Sequence, residues 1–436
     1  MDQIISKLIL YGGYPKDEIL MQMADICKKV KSGDYDKEKV VEQAYRQVKN
    51  LLILGTDYGF DTNLWHNYLT FLLITNENPF SLTSEKTGAG NGSVNHFAKN
   101  DYKAFLELFH YDFSYLEEAL GVDCFSTLSD YTAIGKPELM YNKNVSKKVQ
   151  ALSLKLAAAK DEDEFFDGVT GFYKDYGVGM FGLNKAFRIG CVDEKGTVTF
   201  QAINNMEHVV LDDLIGYELQ KQKLIDNTEA FVNGKKANNV LLFGDSGTGK
   251  STSIKAIVNE YYDKGLRMIE IYKHQFQNLS NVIAQIKNRN YKFIIYMDDL
   301  SFEDFEIEYK FLKAVIEGGV ETKPENVLIY ATSNRRHLIK ETWNDRNDME
   351  YDNGLHRSDT MEEKLSLVYR FGVTICYSKP SPKQFQEISL GLARRAGITL
   401  DDETILAEAN KWELSHGGIS GRTAEQFVKY LSAGEN

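Results

Sequence analysis

The sequence predicts an α/β protein in two parts: a mainly helical N-terminal domain, then a parallel sheet covered by helices on both faces. Three observations carry this. Up to about residue 175 the apolar residues recur at helical spacing. Between Phe187 and Ile203 the pattern changes to two short β-prone runs around the turn-like DEKG. From Val240 onward the apolar runs VLLF, MIEIY, FIIYM, VLIYA and VTICY alternate with helical patterns such as residues 251–262, as strands buried on both faces do.

The chain has 436 residues, too many for one ordinary core, so more than one domain is expected. With 43% hydrophobic and 26% charged residues and only 6 prolines, it reads as a folded, mixed-class protein. A net charge of −12 repels phosphate backbones and anionic membranes at long range, so any nucleic-acid contact needs a local basic patch such as Lys235 with Lys236 or Arg335 with Arg336. The start of the chain lacks the features of a secretory signal, and no apolar run approaches the ~18 to 20 residues of a membrane span, so the expected location is cytoplasmic. Cys27, Cys124, Cys191 and Cys376 lie far apart without a CxxC pair; they read as small core hydrophobes in a reducing compartment. The eight histidines share no metal-like spacing.

In the helical part, Ile19, Leu20, Met23, Ile26, Cys27 and Val30 fall on one face of a helix, as do Trp65, Tyr68, Leu69, Leu72 and Leu73, and Phe165, Phe166, Val169, Phe172 and Tyr173. These aromatic-rich faces are core packing. The segment SEKTGAGNGS, residues 84–93, breaks the pattern and is expected as a loop; no strand precedes its glycines and no Lys-Ser follows them. The DEKG hairpin ends this domain, whose boundaries are 1–205.

The chemistry sits further on. Gly244, Asp245, Ser246, Gly247, Thr248, Gly249, Lys250 and Ser251 spell GxxxxGK[ST] between an apolar strand and a helix that also takes in Thr252, the context a phosphate-binding loop requires. The glycines let backbone amides point at a phosphate chain, the helix start adds positive potential, Lys250 supplies a mobile charge, and Ser251 offers a hydroxyl to Mg²⁺. The strand FIIYM then runs into Asp298 and Asp299. At this position Asp298 is expected to hold Mg²⁺ and Asp299 to orient the attacking water.

With these motifs the chain resembles an AAA+ P-loop ATPase over roughly residues 211–436, which implies bound ATP and Mg²⁺, a core at 206–378 and a helical C-terminal lid at 379–436. The resemblance implies roles for further residues. Leu214, Ile215 and Gly216 line the adenine. Asn334, ending VLIYATSN, matches sensor 1. Arg370, after the helical pattern 361–368 and before VTICY, matches an arginine finger on the edge of the core opposite the P-loop. Arg422, in GGISGRTAEQF, matches sensor 2. More narrowly, the combination of GYELQKQKL, GDSGTGKS, DDLSF, ATSNRRHL and EKLSL is similar to a prokaryotic family of predicted ATP-binding proteins of unknown function, in which a helical N-terminal part accompanies the AAA+ module over nearly the whole chain. Two departures stand out: the acidic pair is Asp-Asp rather than Asp-Glu, which implies slow hydrolysis, and Tyr369 precedes Arg370 where Asp is frequent.

The resulting expectation is a Mg²⁺-dependent ATPase that remodels or regulates a protein client, with head-to-tail homo-oligomers letting Arg370 act on a neighbour's ATP. The alternatives are an ATP-gated switch or adaptor with negligible turnover, and a nucleic-acid remodeller resembling helicase loaders. The charged stretch 344–364 is either a solvated loop or a reach toward a neighbouring subunit.

Overall fold

The computed structural model describes residues 1–135, 143–194, 196–204, 206–302, 308–317, 324–334 and 367–434. It divides into two compact units, Met1–Asn184 and Lys185–Asn436. Arg335, Arg336 and the stretch 344–364 lie outside the described residues.

The first unit is helical. Its helices start where the sequence supplies caps: Asp36 accepts from the Lys39 amide, Asn63 from the His66 amide, and Asp161 from the amides of Asp163 and Glu164. The three predicted apolar faces meet in one core, with Leu20, Leu69, Leu73, Phe165, Val169 and Tyr173 fully buried. The expected loop 84–93 is shorter than predicted. A helix, Pro79–Thr87, claims its first four residues, because Asn78 and Ser81 form a reciprocal capping box and Ser84 and Glu85 are buried against the core. Of the cysteines only Cys27 is buried; Cys191 and Cys376 are exposed, a correction to the core reading. Both sit on strands at outward-facing positions, and Cys376 is on a strand with alternating burial.

The second unit holds one seven-stranded sheet: β1 Ala186–Val192, β2 Val198–Ala202, β3 Val240–Gly244, β4 Leu266–Glu270, β5 Lys292–Met297, β6 Val327–Ser333 and β7 Val373–Tyr377, in the order β2-β1-β4-β5-β6-β3-β7. All pairs are parallel except the β1–β2 hairpin. The five apolar runs became β3 to β7, and the central β5 and β6 are buried along nearly their whole length, which is why they read as continuous apolar runs rather than alternations. The hairpin does not close the helical domain as the boundary at 205 requires. Ala186, Phe187 and Arg188 pair with Met268, Ile269 and Glu270, extending the second unit's sheet, so the division falls at 184/185. That pairing joins segments about 80 residues apart, and no local pattern encodes it.

In the stretch expected as a helical lid, three helices, Pro382–Arg395, Asp402–Ser415 and Gly421–Gly434, gather around their own small core of Phe385, Ile388, Ile405 and Phe427. Among the described residues no helix is long and apolar enough to cross a membrane.

One buried charge in the first unit tests this account. Asp101 is fully buried, and its carboxylate accepts from the amides of Ile9 (2.9 Å), Leu10 (2.7 Å) and Tyr11 (2.9 Å), fastening the N-terminal segment onto the helix Val94–Phe109. Asp101→Ala leaves three amides without their acceptor and is expected to cost about 3 kcal/mol or more of unfolding free energy, since bonds to a charged group are worth ~1.5 to 3 kcal/mol each. Denaturant unfolding followed by circular dichroism measures it, and a change below about 1 kcal/mol would refute the role.

Candidate functional site

β3 ends between β6 and β7, and the chain crosses from it over two strands to β4, so a crevice opens at the carboxyl ends of these strands. The glycine loop occupies that crevice because only glycine fits there. Gly244 has φ +128°, and a Cβ on it would stand 2.2 Å from the Tyr377 carbonyl oxygen of β7. The loop then enters the helix Lys250–Tyr261, whose first turn faces the crevice.

A cavity of about 700 Å³ lies over the loop. Ser246, Gly247, Thr248, Gly249, Lys250, Ser251 and Thr252 line it, as do Asp298, Asp299 and Asn334 from the strand ends, Leu214 and Ile215 from the entry segment, and Arg422 from the lid. Gly216, Gly244 and Asp245 stand behind this lining. The Asp245 carboxylate accepts from the Lys379 amide at 2.8 Å and so ties the loop to the end of β7.

Two hydrogen-bonded sets organise the polar wall. In the first, Ser251 Oγ and Thr332 Oγ1 donate to Asp298 Oδ1 at 2.7 and 2.6 Å. Burial alone raises the Asp298 pKa, but the hydroxyls of Thr332, Tyr296 and Ser251 and the neighbouring amide of Asp299 outweigh it and hold the carboxyl below its ordinary value. In the second, Lys250 Nζ donates to the carbonyls of Gly244 (3.0 Å) and Asp245 (2.6 Å) and to Asn334 Oδ1 (3.0 Å), while Asn334 Nδ2 donates to Asp299 Oδ1 at 2.8 Å. Burial lowers the Lys250 pKa against the opposing pull of Asp245, Asp299 and Asp298. Asp299 itself takes φ +49°, a left-handed turn that its amide stabilises by donating to Thr332 Oγ1 at 2.9 Å.

Oxygen donors from Ser251 and Asp298, bonded to each other across the floor of the cavity, suit a hard divalent cation such as Mg²⁺, which takes one or two protein oxygens and completes its shell with phosphate and water. Among the described residues no three His, Cys, Asp or Glu side chains come together as in a dedicated metal cage. Val209, Leu214, Ile215, Ile388 and Leu392 supply apolar side chains to the same lining. The lid reaches the loop directly, since the Arg422 amide donates to the Gly247 carbonyl at 3.1 Å.

Thr332, Val209, Ile388, Leu392 and Glu425 escaped the sequence reading. Thr332 was within reach of it, because it precedes Asn334 by two on a strand and therefore shares its face. The lid residues were not, since nothing local links them to the loop. Arg370 is placed differently from expectation. β7 is indeed a sheet edge, but it pairs directly with β3, so it lies beside the P-loop strand rather than across the core. Arg370 precedes Val373 at the far end of β7, a five-residue strand or about 15 Å from the loop, and does not line the cavity.

The family described as "Protein of unknown function (DUF815)" matches residues 184–435, which is the second unit and leaves the first outside the match. Among curated proteins, the chain is similar over 76 residues to the replication factor C large subunits of Methanococcus maripaludis (40% identical) and Methanococcus vannielii (37% identical). That is 17% of this chain, and it spans 15% of the length of those relatives. Among solved structures, the Thermotoga maritima RuvB Holliday junction branch migration motor aligns with 17% identity over 51% of this chain and 64% of its own, TM-score 0.35. The FIGL-1 AAA domain in complex with ADP aligns with 16% identity over 53% and 74%, TM-score 0.37. The parallel sheet, the glycine loop after β3 and the acids after β5 make the second unit an AAA+ P-loop fold, and the chain belongs to the DUF815 family of proteins of unknown function.

Proposed function

We propose that the protein is a Mg²⁺-dependent ATPase whose nucleotide sits between core and lid and whose cycle acts on a protein client through the first unit. The observation that carries this reading is the Lys250–Asn334–Asp299 chain of hydrogen bonds. All three protons of the Lys250 ammonium are engaged by acceptors of the protein itself. An incoming phosphate must take at least one, and the Asn334 amide is the partner free to turn. Once Lys250 turns to phosphate, Asn334 offers its amide to the γ-phosphate and releases Asp299, which then accepts the proton of the attacking water. Ser251 and Asp298 hold Mg²⁺, which neutralises charge on the phosphates. Arg422, at the start of a lid helix, adds positive charge to the same phosphates.

A second reading, an ATP-gated switch with negligible turnover, draws on one feature: the Asp299 side chain is short and already paired with Asn334. Steady-state phosphate release from the purified protein separates the two. A cytoplasmic setting remains the expectation from composition, and the net charge of −12 weighs against a nucleic-acid substrate.

Lys250→Ala is expected to weaken ATP binding at least tenfold, because a charged hydrogen bond contributes ~1.5 to 3 kcal/mol. A nucleotide titration with affinity unchanged within about threefold would defeat the assignment.

Asp299→Asn keeps shape and removes the proton acceptor, so turnover should fall by about 10²-fold or more with ATP affinity nearly intact. If Asp298→Asn stopped hydrolysis while Asp299→Asn did nothing, the division of roles along DDL would be reversed.

Arg370 serves the neighbouring subunit's ATP in a head-to-tail assembly, being too far along β7 to reach its own. The competing reading is a structural ion pair of Arg370 with Glu362, Glu363 or another core acid, of which Glu362 and Glu363 lie outside the described residues. Arg370→Ala protein should fold and bind ATP yet hydrolyse poorly, and adding Lys250→Ala protein, with a dead site but an intact finger, should restore part of the activity. No restoration in mixtures that co-assemble, or full activity from a monomer, would sink the role.

A further inference from the structure

Beneath the acid pair lies a hydroxyl that the account above does not use. Tyr296 is 1% exposed on β5, two residues before Asp298 and hence on the same face of the sheet, packed with Ile254 and Ile257 of the helix that carries Ser251. Among the described residues its hydroxyl makes no hydrogen bond of ordinary geometry, although it lies near enough to Asp298 to favour the carboxylate. The polar side chains around it are those of Ser251, Asp298 and Thr332. Two of these hydroxyls are already committed: Ser251 to Asp298, and Thr332 both to Asp298 and to the Asp299 amide. Of the three, only the Tyr296 hydroxyl has no fully formed bond. A phenol hydroxyl carries a proton that it can donate to a carboxylate.

A buried O–H without a fully formed bond is rare in a well-packed core and calls for an explanation. Asp298 Oδ1 receives both Ser251 and Thr332, and a carboxylate has capacity for a further donor. We propose that the Tyr296 hydroxyl is a positioning group for the Asp298 carboxylate, donating to it when the site holds Mg²⁺ and Ser251 must serve the cation as well. This rests on the reading of Asp298 and Ser251 as the Mg²⁺ site. A bond fully formed in the loaded state and only approached in the free one shifts affinity for the cation and leaves the fold and the metal-free nucleotide affinity alone.

The test is binding, not turnover. A nonhydrolysable ATP analogue is titrated into wild type and Tyr296→Phe, in excess EDTA and across a Mg²⁺ series, with melting temperatures taken alongside. Tyr296→Phe should match wild type in EDTA and need about tenfold more Mg²⁺ for the same gain in affinity, the scale of one bond to a carboxylate. Tyr330→Phe is the control: its hydroxyl bonds Thr228 and Asn227, away from Asp298, so it should lose stability with an unchanged Mg²⁺ series. A wild-type Mg²⁺ response retained in Tyr296→Phe, equal losses with and without Mg²⁺, or failure of Tyr296→Phe to fold would each overturn the positioning role alone. No Mg²⁺ response in wild type would overturn the reading of the site, and this inference with it.

Discussion

The second unit is organised around one buried ammonium group. Lys250 is placed at the first turn of its helix, close under the strand ends, where water cannot solvate it and protein acceptors must. It finds them in two carbonyls of its own loop and in the side chain of Asn334 at the end of β6. The arrangement constrains everything near it: the loop must curl so that its carbonyls point inward at the lysine, which leaves its amides facing the cavity. Glycines at the tight points permit the curl. Gly249, at φ +88°, has Leu214 packed so close that a Cβ would stand 2.7 Å from its Cδ2, so the same residue that turns the chain into the helix also lets that apolar side chain close over it.

β6 has the second organising part. Its buried run ends in Thr332 and Ser333, with Asn334 exposed just beyond, and Thr332 and Asn334, which share a face, divide the acids between them. Thr332 holds Asp298 through its hydroxyl proton and the Asp299 amide through its lone pair, and the Leu300 amide donates to its carbonyl at 2.7 Å. This three-point grip bends the chain after β5 into the left-handed turn at Asp299 and separates two adjacent carboxylates into different surroundings. Asp298 faces hydroxyl donors; Asp299 faces an amide whose orientation Lys250 governs. Distinct environments for neighbouring acids are what lets them take distinct roles.

Much of this was legible in the sequence because its signals are local. The glycine loop, the acids closing FIIYM and the Asn closing VLIYATSN each sit at the end of an apolar run, so strand boundaries alone bring them to one rim of a parallel sheet. The helical faces of the first unit were equally plain, since period 3.6 is written within a dozen residues. What escaped depends on pairing between distant segments. The hairpin looked like the close of the helical domain until β1 met β4, and Arg370 looked remote from the P-loop strand until β7 paired with β3. Cys191 and Cys376 were misjudged because a residue's type does not say which face of its strand looks outward.

The lid adds a coupling that only the folded chain displays. Two close approaches join it to residues that line the cavity. At one, the Arg422 amide donates to the Gly247 carbonyl, and a Cβ on Gly247 would stand 3.1 Å from Arg422 Cβ and from Ser420 Oγ. At the other, Gly391 of the helix Pro382–Arg395 gives space to Ile215, whose Cδ1 would be 2.3 Å from any Cβ there. Because these three helices share a single small core, against which Ile215 also packs, the two approaches tie that core to the glycine loop on one side and to the entry segment on the other.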